Sequence, residues 1–412
     1  MPAPIHVHFD ENVTDGALVR RLVFEGIDGP EGPRAESWWR LPVRDLPAPP
    51  VLDSFVAGHA LWAALRGQDL VVHGSMSPGG LYNVSELLAL RHALSPARYR
   101  RAIAVEPDRV VAAPRPAGDP GLAIGSLSCG LDSTFTAVRH RRGLVGDATL
   151  PLRALVMVLG FDVPLHRADR FDVLRRRAEP LARALDLPLL PVVTSSMALG
   201  GQAWPQSAMP LFGAVLAHFS ARYAIGVVSA GAPHGTPRFG ISHPSVLDAL
   251  ASNDFFRLVT DGGGYGRTEK IELLRPFPEA FAAIKVCWQG DDPARNCGRC
   301  EKCVMTRFNF LAAGLPDPPC FDGPLVPAHV AALPMPDLHR IRDLYRTCWN
   351  ELEARGCGGP AVDLLRRRLA RVPPENALAL LRRIGGVARR VVPATLRRHI
   401  HARLPPALRP EA

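Results

Sequence analysis

Residues 125–134, G-S-L-S-C-G-L-D-S-T, have the composition of a loop that binds an anion. The segment follows a predicted strand at 122–126 and leads into a predicted helix at 133–142. Small residues let backbone N–H groups approach a phosphate, and the start of a helix adds partial positive charge. Further donors are the hydroxyls of Ser128, Ser133 and Thr134. The pattern predicts a phosphate-binding loop, and because no G-K-[ST] follows, this is not a Walker A loop.

Asp132 stands inside this loop, where a carboxylate alone would repel a phosphate. Carboxylates are common ligands of Mg²⁺, which also binds phosphate oxygens. We therefore expect Asp132 to hold Mg²⁺ against the phosphates of a bound nucleotide.

Four of the eight cysteines lie close together, with the spacing C-x9-C-x2-C-x2-C. They are Cys287, Cys297, Cys300 and Cys303. In a cytosolic protein, clustered cysteines favour a metal over disulfides, and four thiolates close a tetrahedral Zn²⁺ site of the structural kind. Other interpretations stay open: an iron–sulfur cluster, although its C-x3-C-P continuation is missing, a zinc ribbon that binds nucleic acid, or no metal at all.

The S-G-G-x-D-S signature of the PP-loop ATP pyrophosphatases is matched at four positions, Ser128, Gly130, Asp132 and Ser133, and the loop resembles that superfamily. Cys129 replaces the first Gly, a departure that we expect to be tolerated through a negative φ. The resemblance implies a fold like that of the adenine-nucleotide alpha-hydrolases, ATP split between its α- and β-phosphates, and adenylation of a substrate oxygen. It also implies that one continuous stretch binds the nucleotide: Ser126, Leu127, Ser128, Cys129, Gly130, Leu131, Asp132, Ser133 and Thr134.

The loop and the cysteines together resemble 7-cyano-7-deazaguanine synthase, over about residues 122–309. Between them, R-T-E-K-I at 267–271 resembles that family's T-K-x-E-[IT] segment, with the order of Lys and Glu reversed. The resemblance implies that Lys270, with Arg267, neutralises charge on the departing pyrophosphate. Phe161, at the end of the second predicted strand, is expected to lie on the adenosine side.

By the same resemblance, the acceptor is a small molecule or a nucleobase-like compound whose carboxylate or amide oxygen attacks the α-phosphorus. A nitrogen nucleophile then displaces AMP and forms an amide or, after a second activation, a nitrile. The loop 231–244 is the expected place for acceptor contacts, from His234, Arg238, Ser242 and His243.

Two other functions remain open at this point. PP-loop enzymes that thiolate transfer RNA also combine such a loop with cysteines, and a bound iron–sulfur cluster would favour that interpretation. A non-catalytic nucleotide sensor or nucleic-acid-binding adaptor would use the cysteine cluster and a basic tail. Tight, salt-dependent RNA binding without any ATP–pyrophosphate exchange would favour the adaptor.

Strands and helices alternate after about residue 120, which predicts an α/β fold with a parallel sheet flanked by helices. Because ligands bind beyond the carboxyl ends of such strands, four loops should line one crevice. These loops follow Ser126, Phe161, Thr194 and Ala230.

Three regions are expected along the chain: an N-terminal α+β domain at 1–115, a PP-loop domain at 120–315 with a zinc module at 285–305, and a helical, basic region at 316–412. In the first region, alternating I-H-V-H-F predicts an edge strand with one wet face, rather than a metal site. A helix is predicted over 85–94 with Ser85 as its cap.

The chain has 412 residues, 47% hydrophobic and 21% charged, as in ordinary globular enzymes. Its net charge of +10 comes almost entirely from Arg, because only three lysines occur, at 270, 285 and 302. The Arg-rich tail at 364–409 predicts either docked amphipathic helices or contact with nucleic acid. Since neither a membrane-spanning run nor a signal peptide is evident, we expect a cytoplasmic protein. The sequence indicates no oligomeric state.

Overall fold

The structure, a computed structural model, describes a large part of the chain: residues 2–28, 32–112, 121–199, 204–231, 233–234, 245–287, 289–290, 292, 294–334 and 345–370, without the side chains of residues 205 and 246. The chain divides into two compact units, Met1–Lys285 and Val286–Ala412. The division predicted near residue 115 falls inside the first unit, and the predicted zinc module lies at the start of the second.

One sheet of ten strands runs through the described residues of the first unit. The strands are β1 Ile5–Thr14, β2 Ala17–Glu25, β3 Arg34–Leu41, β4 Leu70–Met76, β5 Val105–Val110, β6 Ala123–Ser126, β7 Leu152–Leu159, β8 Leu189–Thr194, β9 Ile225–Ser229 and β10 Arg257–Asp261. Their order across the sheet is β10-β9-β6-β7-β8-β3-β2-β1-β4-β5.

The sheet is mixed, although most neighbouring strands are parallel. Strands β10, β9, β6, β7 and β8 form one parallel group, and β1, β4 and β5 form another. Antiparallel pairing of β8 with β3, β3 with β2 and β2 with β1 joins the two groups. The α/β class predicted from the sequence is confirmed, and the strands predicted after about residue 120 form a parallel group, β6 to β10. The sheet as a whole is mixed, because the N-terminal strands extend it through antiparallel pairs.

Helices flank this sheet. In the first unit they are α1 Asp53–Arg66, α2 Pro78–Leu94, α3 Leu131–Arg141, α4 Ala168–Ala184, α5 Trp204–Ala217, α6 Arg267–Leu274 and α7 Pro278–Ala283. Helix α1 packs against α5 and α2, whereas α3 packs against α6 and α7. The core beneath α1 contains the fully buried rings of Trp39, Phe55 and Trp62. Strand β6 is buried at all four positions, as expected of a parallel strand covered on both faces.

The second unit has a helical core of its own. Its described helices are α8 Glu301–Ala312, α9 Pro327–Ala331, α10 Thr347–Ala354 and α11 Pro360–Ala370. Helix α10 packs on α8, and α11 packs on α9. The buried side chains between them include Phe308, Tyr345 and Leu352. In the described residues, no helix combines the length and the apolar character needed to cross a membrane.

Two N-terminal predictions are corrected. Strand β1 has one wet face, as predicted, but it lies between β2 and β4 and is not an edge strand. Alternation of apolar and polar residues shows which face of a strand is buried. It does not show whether other strands pair with it on one side or on both. Helix α2 begins at Pro78, not at residue 85, and Ser77 caps it by accepting a hydrogen bond from Gly80 N at 3.1 Å. Ser85 lies within α2, where its hydroxyl donates to Leu81 O.

Asp53, at the start of α1, is a buried carboxylate that supports this cap. Its side chain is 2% exposed and accepts hydrogen bonds from Ser77 N at 2.8 Å and Ser77 Oγ at 2.6 Å. Burial raises the pKa of Asp53 from 3.8 to about 6. Because the folded-state pKa is the higher one, the stabilisation from protonating Asp53 is complete below about pH 4 and is lost as the pH rises through 6.

We therefore expect Asp53→Asn to remove part of the pH dependence of stability. The difference in unfolding free energy between wild type and variant should change by up to about 3 kcal/mol between pH 4 and pH 7, with the wild type gaining at the lower pH. Urea unfolding at both pH values measures this change. A constant difference across that range would show that Asp53 titrates near its ordinary pKa.

Candidate functional site

The phosphate-loop sequence lies at the point where the order of the parallel strands reverses. Strand β6 pairs with β7 on one side and with β9 on the other. The chain reaches β7 through α3, whereas it returns to β9 only after β8 and α5. In open α/β sheets such a switch point creates a crevice beyond the carboxyl ends of the strands. The loop after Ser126 therefore stands where a ligand of this sheet is expected.

Hydrogen bonds within the loop and to the neighbouring strand fix its conformation at the start of α3. Leu127 N donates to Val156 O at 2.8 Å, on the neighbouring strand. Ser128 N donates to Ser133 Oγ at 3.2 Å, and Gly130 N donates to Ser128 Oγ at 3.3 Å. The Ser128 and Ser133 hydroxyls thus shape the loop. Thr134 Oγ1 is buried and has no hydrogen-bond partner among the described residues.

Cys129 adopts a left-handed backbone conformation, with φ of +60°. The negative φ expected from the sequence is therefore wrong, and the Gly of the signature was the overlooked signal, because Gly occupies this region without strain. The Cys129 thiol is fully buried, and this burial raises its pKa to about 12. Cys129 O accepts a hydrogen bond from Lys285 N at 2.8 Å. A strained, buried residue thus forms the bend before α3.

We expect a β-branched side chain at position 129 to lower the free energy of unfolding. Cys129→Gly relieves the left-handed strain and should stay close to wild-type stability, whereas Cys129→Val should be less stable than Cys129→Gly by about 2 kcal/mol. Urea unfolding measures both variants. Cys348→Val, at a buried position on α10, is the matched control. Equal stability of Cys129→Val and Cys129→Gly would contradict the left-handed conformation.

Asp132, Arg267 and Lys270 come together at the first turn of α3. Lys270 Nζ lies 2.7 Å from Asp132 Oδ1, and Arg267 Nη2 lies 3.2 Å from Asp132 Oδ2. The two cations also donate to the end of β9: Lys270 to Ala230 O at 2.9 Å and Arg267 to Gly231 O at 3.3 Å. The residues proposed as catalytic are thus brought within contact of one another, with one positive charge in excess.

A second glycine-rich turn precedes the helix that carries Arg267 and Lys270. Residues 262–264 are three glycines that follow β10 and lead into α6. Gly262 has φ of +79°, and a Cβ there would lie 3.3 Å from the Phe135 ring and 3.5 Å from Lys270 Cε. Glu269 Oε2 accepts a hydrogen bond from Gly266 N at 2.6 Å and caps α6. Sequence reasoning missed this turn, although three successive glycines after a strand were its signal.

Phe161 follows β7, the strand next to the loop. Its ring contacts Trp204 and Phe212 of α5, with ring centroids 5.2 and 4.9 Å apart. Gly160 has φ of +110°, and a Cβ there would lie 1.8 Å from Thr194 O, so no side chain fits at this turn. Phe161 therefore belongs to an aromatic group at the carboxyl edge of the sheet.

Only one of the predicted acceptor contacts lies in the described part of the chain. His234 is exposed; its N donates to Gly263 O at 2.7 Å, and its Nδ1 lies 3.0 Å from Ser245 Oγ. His234 thus reaches the glycine turn that leads to Arg267. Arg238, Ser242 and His243 lie outside the described residues.

In the second unit, the four clustered cysteines bring their sulfurs within 4.8 Å of one another. Cys297 Sγ lies 3.9 Å from Cys303 Sγ, and Cys300 Sγ lies 3.7 Å from Cys287 Sγ. A tetrahedral zinc with Zn–S bonds of about 2.3 Å requires sulfurs about 3.8 Å apart. The cluster therefore fits a four-thiolate zinc site.

Asn296 supports this cluster, a role that the sequence did not reveal. Its buried Oδ1 accepts hydrogen bonds from Val286 N at 2.9 Å and Cys287 N at 3.1 Å. Its Nδ2 donates to Cys320 O at 2.9 Å. The side chain thus ties the first cysteine to the segment that carries the other three.

The basic tail is described only as far as residue 370. Within that part, Arg368 donates to Ala331 O and Leu333 O, at 2.8 and 2.7 Å, and so caps the end of α9. This arginine has a structural contact, as expected of a docked helix. The Arg pairs at 382–383, 389–390 and 397–398 lie outside the described residues.

Comparisons with known proteins give only local similarity. No protein-family model and no solved structure matches the chain. Short segments are similar to 7-cyano-7-deazaguanine synthases: 50% identity over 38 residues with that of Thiobacillus denitrificans, 50% over 32 with that of Pseudomonas paraeruginosa, and 53% over 32 with that of Azoarcus sp.. Each match covers 8% or 9% of this chain and 14% to 17% of the relative, so it spans about a sixth of the length of these curated relatives.

Proposed function

We propose that the protein is an ATP-dependent adenylating enzyme that releases AMP and pyrophosphate. The observation that carries this proposal is the convergence of Asp132, Arg267 and Lys270 on the loop at the switch point. Such a site offers an anion both backbone donors and fixed positive charge. Phosphoryl chemistry of this kind depends on positioning and electrostatic stabilisation more than on covalent catalysis.

The chain's own groups have distinct tasks in this proposal. The first-turn amides of α3 have no partner within the helix and are available to phosphate oxygens. The positive charge of Arg267 and Lys270 opposes the negative charge that builds on the departing pyrophosphate. Phe161, with Trp204 and Phe212, supplies an apolar surface for the adenine at the neighbouring strand end.

Mg²⁺ is expected with any nucleotide of this kind, but Asp132 does not present a free carboxylate to it. Each of its oxygens is already held by a cation, at 2.7 and 3.2 Å. Mg²⁺ retains several water ligands and binds phosphate oxygens directly, so it can enter as part of the nucleotide complex. We therefore assign Asp132 to the orientation of the two cations.

The acceptor is proposed to be a carboxylate or an amide, as in the formation of 7-cyano-7-deazaguanine by the synthases that the chain resembles in short segments. Its oxygen attacks the α-phosphorus and pyrophosphate leaves. With a carboxylate, ammonia then attacks the acyl carbon, AMP leaves and an amide forms. With an amide, the adenylated intermediate loses AMP and a proton from its own nitrogen, which forms the nitrile. His234, beside the turn that carries Arg267, is the described side chain that we assign to acceptor contact.

Zinc would be held by Cys287, Cys297, Cys300 and Cys303. A site closed by four thiolates has no open position, so the metal would supply structural stability and no chemistry. A structural zinc would occupy these thiols and leave none of them reactive, whereas an iron–sulfur cluster, which four cysteines also bind, would favour sulfur transfer.

The test is pyrophosphate release from ATP by the purified protein, in the presence of ammonia and a panel of carboxylate and nucleobase acceptors that includes 7-carboxy-7-deazaguanine. The proposal expects release that depends on one acceptor and yields one AMP per pyrophosphate. Release of ADP and phosphate, or tight salt-dependent RNA binding without any pyrophosphate release, would favour a different function.

A further inference from the structure

Lys270 and Arg267 share one carboxylate but occupy different environments. The Lys270 side chain is 1% exposed, whereas that of Arg267 is 39% exposed. Lys270 Nζ has two close acceptors, Asp132 Oδ1 and Ala230 O, and it lies 5.8 Å from the Phe135 ring centroid. An ammonium has three donors, and a ring face is a favourable neighbour for it. The Lys270 charge is therefore satisfied inside the protein.

The turn before α6 packs beside this lysine. A Cβ added to Gly262 would lie 3.5 Å from Lys270 Cε, at ordinary van der Waals distance. Moving the ammonium towards the crevice would leave the buried Ala230 carbonyl without its donor and Asp132 paired only with the more exposed Arg267. Removing one partner from a buried ion pair is costly. Lys270 is therefore held in place by its surroundings.

Arg267 is in the opposite situation. Both of its hydrogen bonds to described residues, to Asp132 and to Gly231 O, are made by Nη2. A guanidinium has five N–H donors in a planar fork that suits phosphate oxygens. Among the described residues, Nε and Nη1 make no hydrogen bond, and the side chain is accessible. Arg267 therefore has donors available for an anion.

We propose that Lys270 is a positioning residue that holds and neutralises Asp132, and that Arg267 is the cation that contacts the phosphates. This inference rests on the proposed function. With Lys270 in place, Arg267 can turn towards a phosphate without leaving Asp132 uncompensated. Without Lys270, Asp132 would retain Arg267 and would repel the phosphates.

The decisive comparison is the effect of Lys270→Met in two backgrounds. ATP and pyrophosphate affinities are measured by titration calorimetry for wild type, Lys270→Met, Asp132→Asn and the double variant. We expect Lys270→Met to weaken ATP binding about tenfold in the wild-type background and by less than about twofold in the Asp132→Asn background. Arg267→Ala should weaken pyrophosphate binding about tenfold in the wild-type background.

Two results would overturn the inference: a loss of about tenfold or more on adding Lys270→Met to Asp132→Asn, or unchanged pyrophosphate affinity in Arg267→Ala. If Lys270→Met alone fails to fold, comparing Asp132→Asn with Asp132→Asn/Lys270→Met still tests the inference, because neither of these variants contains the Asp132 carboxylate. If the wild type binds neither ATP nor pyrophosphate, the proposed function fails and the inference fails with it. If the wild type binds ATP and pyrophosphate but either of the two overturning results is observed, the inference fails and the proposed function stands.

Discussion

Replacing Asp132 with Asn should lower the rate of pyrophosphate release about a hundredfold or more. The change keeps the shape of the side chain and one acceptor for Lys270, but it removes the charge that holds two cations at 2.7 and 3.2 Å. Without that charge, Arg267 is no longer oriented at the first turn of α3. Steady-state assay of pyrophosphate with saturating ATP measures the effect.

Asp186→Asn is the matched control for this variant. Asp186 also pairs with an arginine, Arg141 at 2.9 Å, but its side chain is 94% exposed. Exposed ion pairs contribute little, so the control should keep wild-type release. Zinc content and circular dichroism should be unchanged in both variants, which separates loss of catalysis from loss of folding. Full turnover by Asp132→Asn would show that Asp132 has no role in the reaction.

Replacing a cysteine of the cluster should have a large effect on the folding of the second unit, rather than on the reaction itself. Cys300→Ser removes one of four sulfurs that lie within 4.8 Å of one another. Structural zinc contributes about 10 kcal/mol or more to the folding of small domains. We expect about one zinc per wild-type chain by elemental analysis, and loss of that zinc together with exposure of the second unit to proteolysis in Cys300→Ser.

Cys357→Ser is the control for this second prediction. Cys357 lies in the same unit, and its Sγ contacts Leu311 O at 3.8 Å, outside the cluster. It should retain zinc and resistance to proteolysis. Iron with acid-labile sulfide in the wild type, in place of zinc, would contradict a structural zinc site and support sulfur transfer.

The parallel part of the fold could be predicted because its signals are local. Strands β6 to β9 are short apolar runs separated by helical patterns, and the ends predicted for them, at residues 126, 161, 194 and 230, lie within two residues of those in the structure. The N-terminal half could not be placed in the same way. The antiparallel pairing of β3 with β8 joins residues about 155 positions apart, at Trp39 and Thr194, and no local pattern records such a partner.

The site shows the same division between local and distant information. The loop sequence predicts a turn at the start of α3, and the left-handed φ of Cys129 could have been inferred from the Gly of the signature. The contact between Asp132 and Lys270 joins positions 138 residues apart, so only the family resemblance pointed to it. The burial of Lys270 beside Gly262 depends on packing, which spacing along the chain does not encode.

The most direct test of the account is to identify the products formed from ATP labelled at its α-phosphate, with the acceptor panel and ammonia present. We expect labelled AMP and unlabelled pyrophosphate in equal amounts from the wild type, and about a hundredth or less of each product from Asp132→Asn in the same time. Labelled ADP with free phosphate, or AMP formation that survives Asp132→Asn undiminished, would contradict the claim that this loop holds ATP for cleavage between its α- and β-phosphates.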